Sequence, residues 1–159
     1  MKDTVKNPPA QHASFTIERR FAQPPARVFA AWSDPEAKAK WFAGTAGKWK
    51  PLVREMDFRV GGRERLKGEW DGGTVSDFDA HYHDIVPECR IVYSYAMHLD
   101  GRRISVSLAT IEFEREGAGT RLKLTEQGAF LDGYDDAGSR ERGTGSLLDN
   151  LARALETSG

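Results

Sequence analysis

From Phe15 apolar and polar residues alternate, with Phe15, Ile17 and Phe21 set against Thr16, Glu18 and Arg20. A two-residue period predicts a strand with one buried face. Pro24 and Pro25 end it. Pro25 can open a helix, where a missing N–H costs nothing, and Val28, Phe29 and Trp32 then share one helical face. Asp34, followed by Pro35 and Glu36, marks a second helix start with the aspartate as its cap, and this helix is expected to reach about Phe42. Residues 44–51 read as a loop.

The middle of the chain reads as a ladder of strands at 53–60, 63–70, 74–86, 90–98, 103–115 and 120–128, broken by glycine turns and one proline. Connections this short join antiparallel neighbours, since a parallel partner needs a crossover of about a dozen residues. After Phe130 the pattern turns helical: Leu147, Leu148, Leu151 and Leu155 line one face of a helix predicted from about Asp136 to Thr157. Within it, the run Gly143-Thr144-Gly145-Ser146 reads as a place where the helix approaches the sheet closely. The order strand, two helices, six strands, helix predicts one α+β domain over residues 14–157, preceded by a polar tail at 1–13. A twisted antiparallel sheet with one helix across its concave face leaves a hollow at one end. The two short helices, expected at the sheet's far edge, would help to close it. Concave, mostly apolar hollows with a few polar groups are where small ligands bind.

Composition narrows the partners. The chain has 159 residues, 39% hydrophobic and 30% charged, which suits one soluble core. Its 23 basic residues are scattered among 24 acidic ones, so no concentrated positive surface for nucleic-acid phosphates is expected. No window approaches the ~20 apolar residues that cross a bilayer, and the N-terminus lacks the apolar core of a secretory signal. A cytoplasmic protein without membrane insertion is the expectation. Cys89 is the single cysteine, which leaves no internal disulfide and no metal site of two or more thiolates.

Alternation also nominates inward residues. Ile111 and Phe113 carry Ala109, Ser107 and Ser105 to the inner face; Leu122 and Leu124 carry Glu126; Leu66 and Trp70 carry Glu64. Glu126 is the candidate for chemistry, because a carboxylate at the end of an apolar face should have a raised pKa and could act as acid, base or ligand acceptor. His81 and His83 point the same way, into the hollow if Ile85 marks the inner face and to solvent if Tyr82 and Val86 do. Two histidines at this spacing are too common to call for a metal. Trp41, Trp70, Tyr93, Tyr95, Met97 and Phe130 supply aromatic and polarizable area, and Leu147 and Leu151 supply the facing helix. Nucleophile elbows, Walker loops and zinc-protease helices are missing, and no cofactor is called for.

Three stretches resemble a known family: Asp57-Phe58-Arg59-Val60-Gly61-Gly62-Arg63, the run from Asp84 to Tyr93, and the run from Gly119 to Gly128. They are similar to homologues of the activator of heat-shock protein 90 ATPase, in the START-like, birch-allergen-like (SRPBCC) superfamily. The resemblance implies a helix-grip fold from about Phe15 to Leu155. It also implies a tryptophan where this chain has Ser146, a change expected to enlarge or expose the space beside the helix. The superfamily hosts carriers, receptors, cyclases and co-chaperone domains, so function has to be argued from the site. Binding of a small hydrophobic or aromatic molecule leads. A cyclase- or hydrolase-type enzyme using Glu126 is the first alternative, and a module acting on a chaperone ATPase is the second. A single domain has no room for the separate N-terminal domain that the named co-chaperone uses, which disfavours a chaperone partner. A homodimer is left open.

Overall fold

The structure, a computed structural model, describes residues 9–157. Among them seven strands form one antiparallel sheet: β1 (Ala10–Phe21), β2 (Trp49–Met56), β3 (Arg63–Trp70), β4 (Val75–Val86), β5 (Arg90–Leu99), β6 (Arg102–Glu116) and β7 (Gly119–Leu131). Their spatial order is β1-β7-β6-β5-β4-β3-β2. Strands β2 to β7 are a meander, and β1 returns beside β7 at the opposite edge from β2. Helices α1 (Pro25–Ser33) and α2 (Pro35–Ala39) connect those two edges, and α3 (Ala137–Thr157) closes the chain. This is the helix-grip fold.

Each helix starts as its sequence predicts. Pro25 and Pro35 occupy first-turn positions, and Asp34 accepts a hydrogen bond from the Glu36 N–H at 3.3 Å. Asp136 caps α3 by accepting from the Ser139 N–H at 2.9 Å, which holds its carboxyl below the usual range. Leu148, Leu151 and Leu155 then enter one core cluster with Val28, Trp32, Ile111, Leu122 and the inner aromatic rings of the sheet.

Several boundaries and contacts depart from the sequence expectation. Strand β1 begins at Ala10, four residues before Ser14, because the backbone of residues 10–13 pairs with 128–131 whatever its side chains are. Residues 1–8 of the expected tail lie outside the described residues. Strand β2 begins at Trp49, within the expected loop, and tolerates Pro51 because it is an edge strand whose register shifts between Pro51 and Val53. The Trp49 indole occupies the space that a Cβ on Gly68 would need, with its Nε1 2.0 Å from that position. Helix α2 stops at Ala39, and Trp41 turns inward to donate its indole N–H to the Ala31 carbonyl at 2.9 Å. Helix α1 packs over β6 and β7, where Phe29 meets Phe113 at 5.4 Å, and not at the sheet's far edge.

The glycines of α3 do not serve close approach either. A Cβ on Gly143 would meet nothing within 4 Å, and one on Gly145 would meet only the Arg19 guanidinium, at 3.4 Å. Ser146 is exposed to solvent.

Candidate functional site

Three cross-strand rows carry the polar part of the sheet's inner face. Glu64, Ala80, Tyr95, Ser107 and Gly128 form one; Tyr82, Tyr93, Ala109 and Glu126 form the second; Leu66, Phe78, Met97, Ser105 and Phe130 form the third. On β6 the first two rows carry small residues, Ser107 and Ala109. Long side chains from the flanking strands therefore lean across Ser107 and Ala109 and meet above them.

The inner face holds two buried polar clusters. In the first, the Tyr95 hydroxyl on β5 donates to Glu126 Oε2 on β7 at 2.7 Å, although their strands are about 10 Å apart. Arg140 of α3 donates to the Tyr95 hydroxyl at 2.9 Å, to Ser105 Oγ at 2.7 Å and to Asp135 at 2.9 Å, and lies 3.5 Å from Glu126. Its guanidinium also faces the Phe130 ring at 5.3 Å. Burial pushes the Glu126 carboxyl above the usual carboxylate range, and the Tyr95 bond and the Arg140 charge only partly offset this. Burial also lifts the Tyr95 phenol, with the Glu126 charge adding to it. For Arg140 burial acts to lower the pKa, but Tyr95, Glu126 and Asp135 outweigh it and hold the guanidinium charged. The Ser107 hydroxyl acts as a weak donor that helps to lower the Glu126 carboxyl, but it reaches full hydrogen-bond geometry with no group.

In the second cluster, Lys38 of α2 donates to Glu64 Oε1 at 2.6 Å, and the Tyr82 hydroxyl donates to the same oxygen. The ammonium sits among the rings of Phe42, Trp32 and Tyr93, at 4.6, 5.6 and 5.9 Å from their centroids. Burial, followed by the Glu64 charge, drives the Tyr82 phenol far above its ordinary range. Tyr93 stands between the clusters. Its phenol is raised by burial, then by Tyr95, Glu126 and Glu64 in turn.

Of the candidates read from sequence, Tyr93, Tyr95, Met97, Ser107, Glu126 and Phe130 are brought together on the inner face, and Leu151 joins the same core from α3. Leu147 is half-buried at its margin. Glu64 belongs to the second cluster. Trp41 is fully engaged in the core, its ring 4.7 Å from that of Trp32. Trp70 lies at the sheet's β2 edge, tilted against Trp49 at 6.5 Å and donating to Ser76 Oγ at 3.1 Å.

His81 and His83 are a correction: both are exposed. Phe78, Ala80 and Tyr82 take the inward positions of β4, and the register shift between Tyr82 and Asp84 makes His83 an extra residue. That bulge lets Tyr82 and Ile85, three residues apart, both face the core. His83 instead bonds Ser94 Oγ at 2.7 Å on the outer side.

Sequence reasoning missed Lys38 and Arg140. Lys38 sits between Ala37 and Ala39 on a helix of five residues, too short to show which of its faces is buried. Arg140 could have been found, because the spacing Arg140, Thr144, Leu148, Leu151, Leu155 extends the apolar stripe of α3 backwards by two turns.

Two clefts of the described surface lie elsewhere. One, of about 330 Å³, is lined by Cys89, Arg90, Glu112, Phe113, Glu114, Arg121 and Lys123. The other, of about 370 Å³, is lined by Lys40, Asn150, Arg153, Ala154 and Thr157. Neither reaches Glu126. No helix among the described residues is long and apolar enough to cross a membrane.

Comparison with known proteins places this geometry in a family. An uncharacterised protein from Rhizobium leguminosarum is 50% identical, with 96% of this chain and 99% of that one covered, at a TM-score of 0.90. The Mll3558 protein from Rhizobium loti is 44% identical, covering 92% and 99%, at a TM-score of 0.85. An AHSA1-like protein from Aeromonas hydrophila is 25% identical, covering 92% and 94%, at a TM-score of 0.71. No curated protein matches the chain. The sequence profile of the Activator of Hsp90 ATPase homolog 1-like protein family matches residues 22–156, and the chain belongs to that START-like family.

Proposed function

We propose that the chain binds a small molecule with an apolar or aromatic body and one polar group, held between the inner face of the sheet and α3. The observation that supports this is the Ser107 hydroxyl, 2% exposed and without a full hydrogen bond, beside the Glu126 carboxyl and near the rings of Tyr93, Tyr95 and Phe130. Buried polar atoms are nearly always paired, so an orphan hydroxyl next to an acid is a place for a partner the protein does not supply. The ligand's hydroxyl or amide group meets Ser107 and Glu126, and its body lies on Tyr93, Tyr95 and Phe130. The rings that now pack there give way at the half-buried margin formed by Phe42, Leu66, Met97 and Leu147.

Native mass spectrometry of gently purified protein, followed by thermal shift with aromatic alcohols and amides, tests the reading. A ligand at about 100 times its Kd adds about 2.7 kcal/mol, which moves the melting temperature by several degrees. Protein that carries no small molecule and whose melting temperature none of the panel moves would refute it.

Acid–base catalysis at Glu126 is a second reading, favoured by the upward shift of its carboxyl and its bond to Tyr95. Glu126→Gln separates the two, since binding survives and only turnover is lost if chemistry occurs there.

A further inference from the structure

Residues 137–146 form the weakly held half of α3. Arg140 is the one residue of this half that is buried, whereas Leu148, Leu151 and Leu155 anchor the other half. Three glycines, Gly138, Gly143 and Gly145, fall within it. Close packing requires neither Gly143 nor Gly145. Glycine lowers helix stability about fivefold in equilibrium constant relative to alanine, so two such glycines where alanine would fit weaken the helix with no packing gain. At its other end the segment joins β7 through Asp132 and Gly133, both with positive φ, at 61° and 73°.

We infer that residues 134–145 are a flap over the polar floor, with Arg140 as its latch. It bends at Asp132-Gly133 and at Gly143-Gly145. Closed, Arg140 bonds Tyr95 and Ser105 and lies 3.5 Å from Glu126, while its bond to Asp135 stays within the flap, and the exposed Tyr134 ring rests on the Arg102 guanidinium at 4.7 Å. Opening withdraws Arg140 and uncovers Tyr95, Ser105, Ser107 and Glu126 together, which admits a molecule to a floor that is otherwise covered. The purpose of the flap rests on the binding reading above; its motion does not. Arg140 is thus a positioning residue, holding the flap shut through contacts to both β5 and β6.

Hydrogen exchange read by mass spectrometry on the unliganded full chain tests this. Amides of 137–146 should exchange at least tenfold faster than those of 148–156. The double variant G143A/G145A should slow the first group roughly 20-fold and leave the second unchanged. R140Q should accelerate the first group alone, and S105A, which removes a single latch bond, should do so more weakly. Equal protection of both halves in the unaltered protein, or acceleration of both halves alike in R140Q and S105A, overturns the flap. The measurement needs no ligand, so a protein that binds nothing would sink the binding proposal without touching this one.

Discussion

Tyr95 donates its hydroxyl hydrogen to Glu126 Oε2 across 2.7 Å from two strands away, over the short side chains of Ser107 and Ala109. The bond fixes the carboxyl in place, while burial still leaves it harder to ionise than in the unfolded chain.

That shift has a sign in stability. At low pH both states hold the proton, and Glu126 is neutral to the balance. As pH rises past the ordinary value of 4.5, the unfolded chain releases its proton first, so the folded state loses stability until Glu126 itself ionises. Glu126→Gln still accepts from Tyr95 and carries no such loss. The difference in unfolding free energy by urea, variant minus parent, should grow in the variant's favour from pH 4.5 upward and then level off. A difference flat in pH would contradict the shift.

Lys38 and Glu64 are 3% and 6% exposed in their side chains, so their pairing is one of mutual need. Lys38→Met strands a buried carboxylate and should cost about 3–5 kcal/mol, whereas replacing both partners with apolar residues should cost much less. Urea titrations of K38M, E64L and the double variant give the coupling directly. Additive losses would show that the two groups stabilise the fold independently.

Ser107 and Gly128 face each other across β6 and β7. A Cβ on Gly128 would stand 2.8 Å from Ser107 Oγ and 3.3 Å from the Phe130 ring, so Gly128→Ala should cost about 1–3 kcal/mol. Ser107→Ala removes a hydroxyl that has no partner and should stay within about 0.5 kcal/mol of the parent or improve on it. Adding S107A to G128A should recover part of the loss, as thermal unfolding would show.

The outward histidines offer a control. His81→Gln with His83→Gln should change stability by less than about 0.5 kcal/mol and leave any ligand affinity as it was. A tenfold loss of affinity in that variant would mean that the binding surface lies on the outer face.

Much of the inner face was readable in the chain. Ser107, Glu64 and Glu126 lie on regular stretches of strand, where counting by twos from a known apolar neighbour is enough, and the same count reaches Ser105 just before the irregularity at Ile104. The same count failed in β4, because the bulge at His83 adds a residue with no mark in the sequence and reverses the phase beyond it. Neither of the two options, Tyr82 inward or Ile85 inward, was sufficient; the bulge satisfies both.

Local order along the chain dictated the kinds of element, their antiparallel pairing and the burial of isolated acids on regular strands, since all three follow from backbone periods and turn chemistry. Which cations neutralise those acids was decided only in three dimensions. Lys38 reaches Glu64 from a short helix, and Arg140 reaches Tyr95 and Glu126 from the start of another. Such pairings arise because a buried charge must find its partner among whatever residues the fold brings near, and no period in the sequence records that distance.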